Sequence, residues 1–304
     1  MKSVPKMLMR LRHALAIVTN TNERFDEMRI NQGRILARLN MQLGSRRLQD
    51  HEFRVFSQWG EDGILQHLTR VIPIATRSFI EFGVEDFFES NCRFLMEKDN
   101  WRGFVIDGSA SNIARLRKSY FHMKHDVVAL QAFITRENIN DLLARSGFEE
   151  DLGILSIDLD GIDAYVLQAI HSFRPRILIC EYNAVFGGQR KISVPYDPAF
   201  TRLKAHHSNL FAGASLAALD HIARAKGYQL VGTNSASNNA FFVRADLVNE
   251  HVEALSVEQA FTPSLFRESK DKQGDLTFAG GEARLALLKG MVVFNVETGQ
   301  DEAL

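Results

Sequence analysis

From about residue 53 onward the sequence alternates short apolar runs of strand length with segments of helical periodicity, and that alternation leaves few folds open. Residues 57–71 place Ile64, Leu65 and Leu68 on one helical face, 78–84 is a short apolar run, 89–98 is helical, and 103–107 is a second apolar run. The order continues with helix 113–120, strand 127–131, helix 137–146, strand 153–158, helix 164–172 and strand 176–181. Short apolar strands joined through helices pair in parallel and are covered on both faces, because only a crossover of that length carries the chain back to start a parallel neighbour. The expected class is α/β.

Beyond strand 176–181 the rhythm changes. Residues 195–209 are polar and loop-like and contain the adjacent pair His206 and His207. A helix over 214–226 ends at Gly227, a natural C-terminal cap, and two apolar strands follow at 228–232 and 240–244, joined by a polar stretch short enough for a hairpin. Five parallel strands plus an antiparallel C-terminal hairpin form the Rossmann-like sheet of class I methyltransferases, whereas dinucleotide-binding domains lack that finish. Residues 247–304 have a helical start, a polar loop at 268–274 and an apolar piece at 291–296, with no evident place in this layout.

Ahead of the body lies a leader, residues 1–50, that reads as helical to about residue 48. Phe25, Met28, Ile35 and Leu39 recur at three-four spacing, but Gln32 and Gln42 interrupt the stripe. The first fifty residues hold ten Lys and Arg against four acids, and the remainder of the chain has an acidic excess of seven. A basic arm on an acidic body suits contact with an anionic surface, and a solvated basic helix suits it equally. Pairing with a second copy into a homo-oligomer, packing on the body and peripheral membrane contact all stay open for this segment. No apolar run approaches the roughly 18 residues that span a bilayer, and the start lacks the apolar core of a secretory signal. The expected location is the cytoplasm, with the inner membrane surface as a secondary site. Cys92 and Cys180 sit in apolar stretches and read as reduced core residues.

Candidate chemistry gathers at the strand ends, where open α/β sheets bind ligands. The first strand ends in Glu81 and Gly83 followed by Glu85, without the G-x-G-x-x-G that a pyrophosphate requires. S-adenosylmethionine (SAM) carries no phosphate and offers a sulfonium and an amino group, so carboxylates around a permissive glycine suit it. Asp107, at the end of the second strand, is placed to accept ribose hydroxyls; Gly108 and Ser109 follow it, and capping of the next helix is the competing role. The fourth strand delivers Asp158, Asp160 and Asp163, and the fifth ends in Glu181 and Asn183. Asp158 or Asp160 is a candidate general base. Asp158, Glu181 and Asn183 form an alternative hard-oxygen set for Mg²⁺, arranged as in enzymes of the catechol O-methyltransferase type.

Several strings carry a more specific likeness: FSQWGEDGIL (56–65), FIEFGVED (79–86), LSIDLDGIDAYV (155–166), RPRILICEYNAVF (174–186), VPYDP (194–198), FAGASLAAL (211–219) and NAFFVRADL (239–247). With these the body resembles a bacterial group of methyltransferases related to the FkbM type and associated with surface-glycan synthesis. The resemblance spans residues 52–299. It implies a SAM-dependent O-methyltransferase acting on a sugar hydroxyl of a glycan or its precursor, and no nucleic acid is expected as partner. It implies Glu81, Gly83, Glu85, Asn91, Asp107, Gly108 and Ser109 around the cofactor, and Asp158 or Asp160 near the transferred methyl. Members often carry an aromatic residue, Asp and Gly between the YDP and GAS strings, where this chain has Arg202 to His207, which makes His206 a substitute candidate base. A catalytically silent SAM-fold module recruited through its leader, and a nicotinamide- or nucleotide-sugar-binding enzyme, are the rival readings.

Overall fold

The computed structural model describes residues 4–304, with residues 4–8 and 10–20 described by their helical backbone only. The elements are, in order, α1 (Val4–Asn40), α2 (Glu61–Val71), β1 (Ser78–Phe82), α3 (Arg93–Asp99), β2 (Arg102–Asp107), α4 (Ala110–Leu116), α5 (Tyr120–Lys124) and β3 (Val127–Gln131). Then come α6 (Ile139–Ala144), β4 (Ile154–Ile157), α7 (Asp163–Ala169), β5 (Ile177–Glu181), β6 (Ile192–Ser193), α8 (Arg202–Ala205), α9 (Leu216–Ala225), β7 (Tyr228–Thr233) and β8 (Asn239–Arg244). The chain ends with α10 (Val257–Ala260), α11 (Glu282–Ala286), β9 (Val292–Asn295) and β10 (Gln300–Ala303).

Seven strands form one sheet in the order β3-β2-β1-β4-β5-β8-β7. The first five are parallel, and β8 pairs antiparallel with both β5 and β7. The chain is therefore an α/β protein with the Rossmann-like methyltransferase strand order, reversed last strand included. Strand order turns around at β1, which lies between β2 and β4, and the crevice at its carboxyl end is the expected ligand position.

Period-two alternation sorts the strand residues. Ile80, Phe82, Ile106, Leu155, Ile157, Leu178 and Phe242 pack on one face with α6, α7 and α9. Phe79, Val105, Ile154, Ile179 and Phe241 pack on the other with α2, α3 and α4. Full burial of each such side chain contributes about 1.5–3 kcal/mol. The same alternation turns Glu81, two residues beyond Phe79, toward the start of α3.

Two helices, α2 and α3, begin later than periodicity predicts, each because an acid has taken the preceding amides. Asp62 Oδ2 accepts from the amides of Val55, Phe56 and Ser57 at 2.7–2.8 Å, so α2 starts at Glu61 and not at residue 57. Burial pushes this carboxyl up to about 6 against those bonds. Glu81 does the same to α3, and the helix predicted at 113–120 is α4, which starts at Ala110 and ends at Leu116 before Ser119 caps a separate helix, α5.

The leader helix ends at Asn40, earlier than predicted, and lies on the body through a polar contact. Asp26 accepts from Arg93 Nη2 at 2.6 Å and from the Tyr120 hydroxyl at 2.8 Å. Arg93 is fully buried, bonded also to Glu97 at 2.7 Å and set 3.8 Å from the Phe56 ring centroid. Gly33 lies so close to Val55 and Phe94 that a Cβ there would collide with both. Phe25, Met28, Ile35 and Leu39, the stripe of the predicted heptad, stand on the exposed side, at 56–66% exposure. Among the described residues no helix is long and apolar enough to cross a membrane.

The C-terminal segment finds its place in a second sheet of order β10-β9-β6, packed over Phe186, Ile192, Val194, Leu210, Phe211 and Leu288. Its strand β9 falls within the apolar piece predicted at 291–296.

Candidate functional site

A cavity of about 640 Å³ opens at the carboxyl ends of β1, β2 and β4, lined by Glu81, Gly83, Glu85, Asn91, Asp107, Gly108, Asn112, Phe133, Ile134 and Asp158 among others. Gly83 explains why a glycine stands there. Its φ is +66°, and a Cβ would collide with the Asp158 carbonyl, so β1 and β4 approach closely only with glycine at this position. Glu85, Phe87 and Asp160 also have positive φ, which concentrates backbone strain around the cavity mouth.

Glu81 is buried and accepts from the Ser90 hydroxyl at 2.7 Å and from the amides of Asn91 and Cys92 at 2.8 and 3.2 Å. Burial pushes its carboxyl up, against these bonds. Its observed role is to hold the turn that presents Asn91, whose amide nitrogen donates to Ser156 Oγ at 3.1 Å. Asp107 accepts from the Glu85 amide at 2.9 Å on one oxygen, and from the Ser109 amide at 2.7 Å and Asn112 Nδ2 at 3.3 Å on the other. It therefore ties together the loops after β1 and β2 while still facing the cavity. Ser109 itself does not line the cavity: its hydroxyl caps α4 by accepting from the Asn112 amide. Asn112 lines the wall there instead.

Around β4 and β5 the arrangement differs. One carboxylate oxygen each of Asp158, Asp160 and Glu181 lies within 4.8 Å of the others. Asp158 and Glu181, both with raised proton affinity, thus stand near enough to act on each other directly. Burial, then the charges of Asp160 and Asp163, push Asp158 up to about 8. Burial followed by the Asp158 charge pushes Glu181 up as well. Asp160 is exposed and accepts from Arg202 Nη1 at 3.0 Å. Asp163 is buried at the start of α7, where it accepts from the amides of Leu159 and Gly161 at 2.7 and 3.0 Å.

Two predicted site residues do not reach these carboxylates. Asn183 turns its Nδ2 to the carbonyls of Leu210 and Ala212 at 2.8 and 2.9 Å, and its Oδ1 accepts from the Val185 amide at 3.0 Å, so it clamps loops and adds no ligand to the carboxylates. His206 stacks on His207 with centroids 4.1 Å apart, bonds Ser208 at 2.7 Å and lines neither the main cavity nor its neighbour. The short helix α8 turns Arg202, and not the histidines, toward β4.

Whether a divalent ion suits these carboxylates is decided by what already faces them. Asn183 is turned away and Arg202 already faces Asp160, so the Asp158–Glu181–Asn183 set predicted for Mg²⁺ is not assembled, while Asp158, Asp160 and Glu181 do lie close enough together to share an ion.

A smaller cavity of about 150 Å³ adjoins the first, sharing Gln58, Glu181 and Arg202 with it, and is further lined by Trp59, Asn238, Phe266 and Arg284. Sequence reasoning passed over Trp59, Arg202 and Arg284. The loop carrying Trp59 is held by buried Glu61, which accepts from the Trp59 amide at 3.0 Å and from the amide groups of Asn234 and Asn239 at 2.6 and 2.9 Å. The FSQWGED string thus contains two acids that fold its own loop over the sheet end.

No family model and no curated protein matches this chain, so its likeness to the FkbM group rests on the strings quoted above. Solved structures with a similar strand arrangement include an O-methyltransferase family protein from Burkholderia thailandensis, at 13% identity over 56% of this chain and 50% of that one, TM-score 0.36. TrmK of M. capricolum in complex with S-adenosyl-homocysteine matches at 9% over 64% and 73%, TM-score 0.37. The SAH-bound Podospora anserina methyltransferase PaMTH1 matches at 12% over 55% and 71%, TM-score 0.38. The match spans half the length of the first of these proteins. The fold class stands on the chain's own strand order.

Proposed function

We propose that this chain is a SAM-dependent methyltransferase that methylates a hydroxyl group, on a sugar of a surface glycan or its precursor. The observation that carries the reading is the combination, at the switch point of a β3-β2-β1-β4-β5-β8-β7 sheet, of Asp107 facing a large cavity and a β1 turn with no phosphate-binding glycine loop.

The cavity residues suit the cofactor. Asp107 has lone pairs left to accept ribose hydroxyls, Phe133 and Ile134 offer an apolar wall for a purine, and Asn91 is presented beside Gly83 for the amino-acid end. Bound SAM supplies an electrophilic methyl on a sulfonium. The protein's own part is to align the acceptor oxygen and take its proton. Asp158, in the larger cavity and close to Glu181, which lines both cavities, is the group placed to do so. Arg202 keeps the Asp160 charge compensated beside it.

Calorimetry with SAM and with NAD tests this. Micromolar SAM binding with no NAD binding is the expected result, and preferential NAD binding overturns it. S-adenosylhomocysteine carried through native mass spectrometry is a second expected finding.

A further inference from the structure

In the smaller cavity Arg284 has no ion pair within 4 Å among the described residues, and the Glu268 carboxylate on the same cavity wall acts on it only from farther away. Arg284 is 5% exposed, yet its guanidinium reaches only neutral acceptors: Ser264 Oγ at 2.7 Å and the carbonyls of Phe266 and Glu268 at 2.6 and 3.3 Å. Its Nε is buried without any partner, and no ion pair to Arg284 is present among the described residues. A buried cation left in this state is costly unless an anion completes it. Arg202, also on the cavity wall and paired with Asp160, adds a second positive charge near Arg284.

The Trp59 ring, 37% exposed in the same cavity, leans on Phe266 with centroids 4.7 Å apart and planes at 43°, which gives an apolar surface lined also by the amides Gln58 and Asn238. The cavity communicates with the Asp158–Glu181 pair through Glu181 and Arg202. A ring lying on Trp59 with an anionic substituent toward Arg284 would have its hydroxyls directed to that junction.

Building on the methyltransferase reading, we propose that this cavity is the acceptor subsite and that it selects an acceptor bearing an anionic group, a carboxylate or a phosphate, bound by Arg284 with its ring against Trp59. The neutral hydroxyl to be methylated and the anionic handle are then parts of one small molecule or one residue of a larger chain.

The test is calorimetry of the full-length protein saturated with S-adenosylhomocysteine, titrated with glucuronate, glucose 1-phosphate and glucose. At least one anionic probe is expected to bind about tenfold or more tightly than glucose, the magnitude of one charge-assisted hydrogen-bonded contact, and the two anionic arms separate carboxylate from phosphate. Arg284→Gln should abolish that preference and leave S-adenosylhomocysteine affinity within about twofold, since Arg284 is not part of the cofactor cavity; Arg284→Lys should retain part of it. Thermal unfolding of the unaltered protein provides a reading independent of any variant: inorganic phosphate should raise Tm saturably over chloride at equal ionic strength. Equal binding of all three probes, or a folded Arg284→Gln that keeps the preference, overturns the proposal, and the lack of a saturable phosphate effect strikes its phosphate arm. Failure to bind S-adenosylhomocysteine with anion selection intact would instead remove the methyltransferase reading and leave the subsite standing.

Discussion

The two groups of acids at the sheet's carboxyl edge are built on opposite plans. Glu81 and Asp107 have their oxygens engaged by backbone amides and by Ser90 and Asn112, so they are rigid and shape the cofactor cavity by holding turns. Asp158 and Glu181 have chiefly each other, under strong desolvation. On the proposed function the first pair serves binding and the second moves a proton. Fixed charges that position a ligand gain from saturated hydrogen bonding, whereas a base must keep a site open and a proton affinity near the working pH.

Breaking the second pair should have the largest effect. Asp158→Asn removes the proton acceptor and should lower kcat by about a hundred- to ten-thousand-fold, with SAM affinity by calorimetry unchanged; a kcat within threefold of the parent would place the base elsewhere. Next comes Asp107→Ala, which should raise the Kd for SAM by about ten- to a hundredfold through lost charge-assisted hydrogen bonds, while kcat at saturating SAM holds. Glu81→Gln replaces one acceptor oxygen with a donor facing backbone amides and should cost about 1–3 kcal/mol of stability, read as a lowered Tm, with smaller effects on catalysis.

The pH profile sharpens the contrast further. Asp158 sits at about 8 in the fold against the usual 3.8, so the folded state keeps a proton that the unfolded chain has released. Stability from this group is therefore present at low pH and declines as pH rises toward 8, across the same window in which kcat/KM should climb by up to tenfold per unit. Asp158→Asn should flatten both limbs. The smallest effect expected is from Mg²⁺: with Arg202 on Asp160 and Asn183 engaged by carbonyls, adding EDTA should leave activity unchanged.

The strand order was legible in advance because parallel buried strands must be apolar throughout and the helices between them fall at regular intervals. Asp107 and Asp158 were legible because strand ends are where such a sheet exposes its chemistry. What escaped was whatever depends on contacts between distant segments. Nothing local to Arg202 distinguishes it from the histidines four and five residues on; only the direction in which α8 leaves the body does. Arg284 lies in a segment with no strong periodicity, and its burial arises from the 264–268 loop wrapping over it. Glu81 was visible as an acid at the right place, but its partners ten residues away were hidden inside an apparent helix. The heptad of α1 was visible too, yet the face that docks is the one carrying Asp26, whose carboxylate meets Arg93 while Ile30, Leu36 and Ala37 pack with Phe53, Val55, Phe56 and Phe94.

That contact between Asp26 and Arg93 bears on how the chain is made. During vectorial synthesis α1 leaves the ribosome some sixty-seven residues before Arg93 does, so a counter-charge is on hand when the guanidinium is drawn in among Phe56, Phe88 and Phe121. The leader thus serves as an early-arriving part of the core's wiring. A chain trimmed to begin after Asn40 would have to bury Arg93 with Glu97 as its one remaining carboxylate and Asp26 gone, a deficit of about 3–5 kcal/mol by the measure of broken buried pairs, and should persist as a protease-sensitive, partly open species.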